Sequence, residues 1–124
     1  MRVLDPSTDA SDELLAIVKF EHCYAYKFGG PNDEVIHGHS LYGRGLVAYR
    51  AHQVANSSWI EAEKRINSVH RGFRPESWDK LKHYLLVFHD DCFECLAENH
   101  SVEVVRATFR QALERAVEQV LDRS

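Results

Sequence analysis

The chain has 124 residues, a formal net charge of −4 and three cysteines. This length fits one domain, and the acidic balance disfavours wholesale binding to nucleic acid. A small, odd number of cysteines argues against a disulfide framework and for a reducing compartment. The first residues lack a signal-peptide pattern, and no apolar stretch reaches the length of a membrane span. The sequence therefore predicts a cytoplasmic protein without a membrane segment.

The N-terminal part of the chain predicts a tail followed by two strands. Residues 1–13 are polar and show no sustained period, so we expect a flexible tail before a single domain over 14–124. Residues 17–28 alternate in the manner of a strand, and the turn residues at 29–33 end it. Residues 46–54 predict a second strand. One face of the first strand carries Phe20, His22, Tyr24, Tyr26 and Phe28.

The remaining elements are two helices and a hairpin. Ser58 and Glu61 form a capping-box pattern, which predicts a helix over 59–69. A loop follows, with room for one helical turn after Pro75. The segments KHYLLVF and CFECLAE flank a short polar connection and indicate a hairpin. Ser101 is positioned to cap a long C-terminal helix with a continuous apolar stripe.

This order of elements predicts the fold class. Strand, strand, helix, hairpin and helix are typical of a single two-layer α+β domain. We expect about four mainly antiparallel strands packed against the long C-terminal helix and the shorter central helix. The second face of that sheet would be exposed, curled around a cavity or covered by a partner.

Histidine is the residue type most prominent for chemistry, since eight histidines outnumber six glycines. His37 and His39 flank one glycine in a loop, and alternate side chains of an extended loop reach the same side, so both could bind one divalent transition metal. A further ligand is needed, for which His89, Asp90, Asp91 and His22 are candidates by residue type, and we assign His37, His39 and His89 as the candidate metal ligands. An ordinary exposed loop is the alternative.

The hairpin connection His89–Asp90–Asp91 suggests acid–base chemistry. A carboxylate that orients an imidazole is a recurring arrangement in catalysis, so we assign His37, His39, His89 and Asp90 as candidate catalytic residues. The alternative is that both aspartates bond to backbone donors of the turn. Cys92 and Cys95 have CxxC spacing, but on a strand they face opposite ways, so we expect neither pairing nor shared chelation.

The segment from Lys64 to Lys82 suggests binding to an anion or to a protein partner. It carries six basic and two acidic residues in an otherwise acidic chain, although a solvated surface is the alternative. The tyrosines of the first strand would add to such a surface if their face is exposed. The candidate ligand-binding residues are Arg44, Arg71, Arg74, Trp78, Tyr24 and Tyr26.

Four segments, PNDE, HGHSLYG, NSSWI and LKHYLLVFHDDCFECLAE, carry a resemblance to known proteins. They resemble small bacterial proteins of unassigned function with a segment of the form FHDxxFEC. The resemblance covers most of the chain and implies a bacterial cytoplasmic protein, but it assigns no site residue.

Two function hypotheses follow, and a third is narrower. The first is a small enzyme or small-molecule-binding protein. Its polar site would combine the HGHS loop, residues 37–40, with the HDD turn, residues 89–91. The second is an interaction module that binds a protein or an anion through the exposed sheet face or the basic segment. The third is a pH-responsive protein, because imidazoles titrate near neutrality. The sequence leaves open whether the chain is an enzyme and whether it forms a homodimer.

Overall fold

The computed structural model describes residues 12–31, 33–47 and 49–121. This part of the chain contains six strands, two α-helices and two short 3-10 turns at Asp33–Gly38 and Pro75–Trp78. In chain order the strands and helices are β1 (Glu13–Glu21), β2 (Ala25–Gly29), β3 (Ala51–Val54), α1 (Ser58–Asn67), β4 (Lys82–Val87), β5 (Cys92–Ala97), β6 (Asn99–Ala107) and α2 (Phe109–Leu121). The predicted α+β class with mainly antiparallel strands is confirmed. Most of the predicted tail lies outside the described residues.

Contacts divide the chain into two compact units. The first unit comprises residues 20–99 and contains β2 to β5 and α1. The described residues of the second unit are 12–19 and 100–121, which contain most of β1 and β6 together with α2. No helix among the described residues has the length and the apolar composition needed to cross a membrane.

The first unit is built on a four-stranded sheet with the strand order β2–β5–β4–β3, and all three pairings are antiparallel. Its register places Lys27 opposite Glu94, Glu94 opposite Leu85, and Leu85 opposite His52. Because side chains alternate along a strand, this row of residues lies on one face of the sheet. The predicted hairpin is confirmed as β4 and β5.

The two faces of the sheet have different cores. On one face, which we call the helix face, Leu85, Val87 and Cys92 are buried against Val54 and against the segment after β2, through Ile36, Leu41 and Leu46. On the other, which we call the aromatic face, Tyr84, Cys95 and Ala97 are buried with Phe20 and Phe93 against them. The sheet thus separates a mostly aliphatic core from an aromatic one.

The predicted strand over 17–28 is two strands, because the chain breaks at His22. This residue has φ of 52°, a left-handed conformation that ends a regular strand. Tyr24 therefore leaves the aromatic face. Its hydroxyl donates a hydrogen bond to Glu63 and accepts one from Asn67, both on α1. The face that we predicted for this segment survives only at Phe20, Tyr26 and Phe28.

Helix α1 confirms the predicted central helix but has a different cap. The Oγ of Ser57 accepts the backbone N–H of Ile60 at 3.2 Å, so Ser57 is the N-cap and Ser58 is the first helical residue. Asn56, the preceding residue, adopts φ of 53°, which asparagine tolerates better than most side chains. The predicted helical turn after Pro75 is also confirmed.

The prediction of a helix from Ser101 onward was wrong in its first part. Residues 99–107 form β6, which pairs with β1 in a two-stranded sheet, and the helix begins at Phe109. Thr108 and Gln111 form its capping box, in which each side chain bonds to the other residue's backbone N–H. Valine favours strands, and Val102 and Val104 alternate with Glu103 and Val105, so strand pairing prevails over helix formation here.

Candidate functional site

The helix face of the four-stranded sheet positions a cluster of polar side chains. Glu94 lies near the middle of β5, with Lys27 of β2 directly opposite. His83 of β4 lies one diagonal step away, because it pairs with Leu96 two residues further along β5. Helix α1 lies against β4, so that Trp59 meets the His83 ring edge-on at 5.3 Å between centroids. These elements build a half-enclosed polar site.

A chain of hydrogen bonds links the start of α1 to the sheet. The Oγ of Ser57 lies 2.7 Å from Nδ1 of His83, and Nε2 of His83 lies 2.8 Å from Oε1 of Glu94. Ser57 accepts from Ile60, so its hydroxyl proton is available to His83, and Nε2 of the neutral imidazole then donates to the carboxylate. Ser57 and His83 are each only 5% exposed. Every bond in this chain therefore has one donor and one acceptor.

His39 faces the other oxygen of the same carboxylate. Its Nδ1 accepts the backbone N–H of Leu41, which leaves the proton of the neutral ring on Nε2. That nitrogen lies 3.8 Å from Oε2 of Glu94, beyond a direct hydrogen bond. The His39 side chain is 10% exposed and that of Glu94 is 17% exposed. A polar atom of a ligand beside these two atoms would be within reach of both, with a donor in His39 and an acceptor in Glu94.

The surroundings of Glu94 keep its carboxylate ionised. The hydrogen bond from His83 is the largest cause that lowers the pKa of Glu94 below its ordinary value, and electrostatic attraction to His83, His39 and Lys27 lowers it further. Burial opposes this shift because it penalises the charged form. The Nζ of Lys27 lies 4.0 Å from the centre of the Trp59 ring, a cation–π contact at the edge of the site.

The other histidines of the predicted site have different surroundings. His37 is exposed and meets the Tyr42 ring edge-on. Nδ1 of His89 lies 3.5 Å from Asp90 in the β4–β5 turn, and its ring meets Tyr49. His22 lies 3.8 Å from Glu98. The structure thus brings His39 to Glu94 and His89 to Asp90, while the meeting of the two loops stays a prediction.

Metal binding also stays a prediction. In residues 12–31, 33–47 and 49–121, no group of three or more His, Cys, Asp or Glu side chains is arranged to hold a metal ion. His37, His39 and His89 were the predicted ligands.

The predicted anion-binding residues occupy two regions of the first unit. Arg44 is exposed in the turn after the HGHS loop, and Arg71 and Arg74 are exposed between α1 and β4. Trp78 meets Tyr24 edge-on at 5.2 Å, so both help to fix the position of α1. Tyr26 is 70% exposed on the aromatic face. Tyr26 therefore lies on the opposite face of the sheet from His83 and Glu94.

The cysteines are free thiols with contrasting environments. Cys92 lies in the core of the helix face and Cys95 in that of the aromatic face, which confirms that they point opposite ways. Burial, together with the nearby Cys23, raises the pKa of Cys95 to about 12. Burial also raises the pKa of Cys92, with the charges of Glu94 and Asp91 adding to the effect. Cys23 is exposed.

Asp91 departs from the expected turn chemistry. It is 8% exposed, and its Oδ1 is buried without a hydrogen-bond partner among the described residues. Its backbone carbonyl closes the turn by accepting from the N–H of Phe88 at 2.9 Å. The expectation that both aspartate side chains bond to backbone donors of the turn is not met by this oxygen.

Sequence reasoning found His39 but missed Ser57, His83 and Glu94. These three come from the start of a helix and from two strands, and no short motif joins them. The one available signal was a pattern of alternation, in which His83 and Glu94 interrupt otherwise apolar positions of two adjacent strands. A buried polar residue requires a partner, so each of them indicated the other.

Comparison with known protein families, with curated proteins and with solved structures finds no match to this chain.

Proposed function

We propose that this protein is a small cytoplasmic enzyme or ligand-binding protein in which Glu94 acts as a base and His39 as a hydrogen-bond donor toward a small polar molecule. The observation that supports this most is that the two oxygens of one carboxylate face two imidazoles. Oε1 accepts from His83, while Oε2 faces the His39 ring across a gap. Glu94 would accept a proton from the ligand, and the Nε2–H of His39 would donate a hydrogen bond to the ligand's oxygen.

His83 and Ser57 act as positioning residues in this proposal. The bond from His83 fixes one carboxylate oxygen, and Ser57 fixes the other nitrogen of that ring. A preorganised carboxylate needs little reorganisation when a ligand binds. The compounds that fit are small molecules with a hydroxyl or a carbonyl group, because both donor and acceptor face the gap.

The test is a screen of small hydroxyl and carbonyl compounds, monitored by the ring NMR signals of the histidines. We expect binding compounds to shift the His39 signals, and we expect His39→Ala and Glu94→Gln to abolish binding. His37→Ala is the matched control, because His37 is exposed in the same loop. If His37→Ala removes binding as fully as His39→Ala, or if no compound perturbs His39, the proposal fails.

The interaction module is the second candidate function, and it rests on a different observation. Tyr26 and Phe28 are 70% and 58% exposed on the aromatic face of an edge strand. Exposed aromatic side chains next to each other are typical of protein contact surfaces. We expect Tyr26→Ser with Phe28→Ser to abolish capture of a protein partner.

For an anionic ligand the basic segment is the surface to test. In that case the wild type should show salt-dependent retention on heparin, and Arg71→Glu with Arg74→Glu should abolish this retention.

A further inference from the structure

The second unit exposes most of its apolar side chains. In α2, five of them are between 48% and 70% exposed, and Ala112 is the helix residue that is buried. The five exposed side chains lie on one side of the helix, at the spacing of successive turns. They are Phe109, Leu113, Val117, Val120 and Leu121. We call this surface the α2 stripe.

The opposite side of α2 lies toward β6. Arg115 forms an ion pair with Glu103, and Gln119 donates to the same carboxylate at 3.0 Å. Small and polar residues of α2 thus lie toward β6, whereas the larger apolar side chains of the helix are exposed. A two-stranded sheet and a helix of 13 residues are each marginal in water without a larger buried surface.

The area of the α2 stripe suits a second copy of the chain. Five half-exposed aliphatic and aromatic side chains present roughly 500 Å² of apolar surface, at the usual relation between side-chain burial and area. Two copies that cover each other would remove about twice that area, which reaches the lower range of specific interfaces. A contiguous apolar surface of this size is often functional in a small protein.

The charges beside the stripe indicate how two copies would meet. Arg110 lies one helical turn before Glu114, and Glu118 lies one turn further, along one flank of the stripe. In an antiparallel pair related by a twofold axis, this flank of one helix faces the same flank of the other helix, and the two flanks run in opposite directions. Arg110 of each helix then meets Glu118 of the other, whereas in a parallel pair the same flanks lie on opposite sides of the interface and this pairing is lost.

We propose that two copies of this chain associate through their α2 stripes as an antiparallel helix pair. This interface uses residues of the second unit alone, whereas the proposed ligand site uses residues of the first. Burial of the stripe supplies the stability of the pair, and the pairing of Arg110 with Glu118 of the other copy sets its direction.

The test measures the mass in solution by light scattering and by sedimentation at micromolar concentration. We expect the wild type to have twice the chain mass of 14.3 kDa, and Leu113→Glu with Val117→Glu to halve the mass. Both positions are exposed, so the monomer should keep the circular dichroism of the wild type. Gln111→Glu is the control, because it adds a negative charge outside the stripe and can still close the capping box.

Charge reversal tests the direction. Arg110→Glu should weaken association at least tenfold, and adding Glu118→Arg should restore it. A monomeric wild type, or a dimer that persists in Leu113→Glu with Val117→Glu, would overturn the proposal. Failure of the double reversal to restore association would overturn the antiparallel arrangement.

Discussion

Glu94 is the residue on which the polar site depends most, because three positive or proton-donating groups lie around its carboxylate. A group whose pKa is lowered by folding stabilises the native state above its ordinary pKa. That contribution is lost as the pH falls through the lowered value. The carboxylate therefore links the stability of the fold to acid pH.

Replacement of Glu94 by Gln should remove this linkage while keeping an oxygen that accepts from His83. We expect the wild type to have the higher melting temperature at pH 7, and the difference to shrink as the pH falls from about 5 to about 3. Thermal unfolding across this range measures it. Glu76→Gln, at an exposed position, serves as the control. A difference that stays constant with pH would contradict the lowered pKa of Glu94.

The three thiols should differ in reactivity. Cys23 is exposed, whereas burial raises the pKa values of Cys92 and Cys95 and so disfavours the reactive thiolate. At neutral pH an alkylating reagent should add once to the native chain, at Cys23, and three times in denaturant. Mass spectrometry of the intact chain and of its peptides distinguishes these products. Rapid labelling of Cys95 in the native chain would contradict the burial of its thiol.

At the scale of the elements, Ser57 has two roles that Ser58 lacks. Its Oγ caps α1 and also holds His83. Ser57→Ala should cost about 1 to 2 kcal/mol for the cap, with a further cost for the unpaired imidazole nitrogen. Ser58→Ala should change the free energy of unfolding by less than about 0.5 kcal/mol. Urea unfolding of the two variants compares them directly, and equal midpoints would exclude Ser57 as the cap.

The elements that the sequence predicted well are those with an unambiguous period. The β4–β5 hairpin and α1 are within a few residues of their predicted bounds. The segment from Ser101 to Phe109 fits both periods, since Val102, Val105 and Phe109 match a helix while Val102 and Val104 match a strand. This segment forms a strand because it pairs with β1. The capping box at Thr108 and Gln111 marks the boundary between β6 and α2, and our prediction did not use it.

The candidate site was less predictable than the elements. His39 could be found because the HGHS loop is unusual in composition. Ser57 and His83 are 26 residues apart, and His83 and Glu94 are 11 apart. Only the strand register and the placement of α1 bring them together, and a single sequence specifies neither. The break between β1 and β2 at His22 was equally hard to predict, because no glycine or proline lies at that position.

At the scale of the whole molecule, the buried residues are unevenly divided. The first unit contains the buried side chains of β4 and β5, whereas Ala112 is the buried hydrophobic residue of the described second unit. Backbone amides of β4 and β5 should therefore exchange most slowly with deuterated solvent, and those of α2 faster. Leu113→Glu with Val117→Glu should accelerate exchange in α2 alone. Mass spectrometry of peptides resolves this, and equal protection of both units in that variant would contradict it.

The double role of Ser57 also limits how the length of the chain can vary. Two residues, Ala55 and Asn56, join β3 to the cap. An insertion or deletion there would rotate the first turn of α1 and move the hydroxyl away from His83, even if the helix itself re-formed. The connection from α1 to β4 has no such constraint at Arg71, which is exposed in a longer loop. Natural variation in chain length should therefore accumulate in the second connection and be rare in the first.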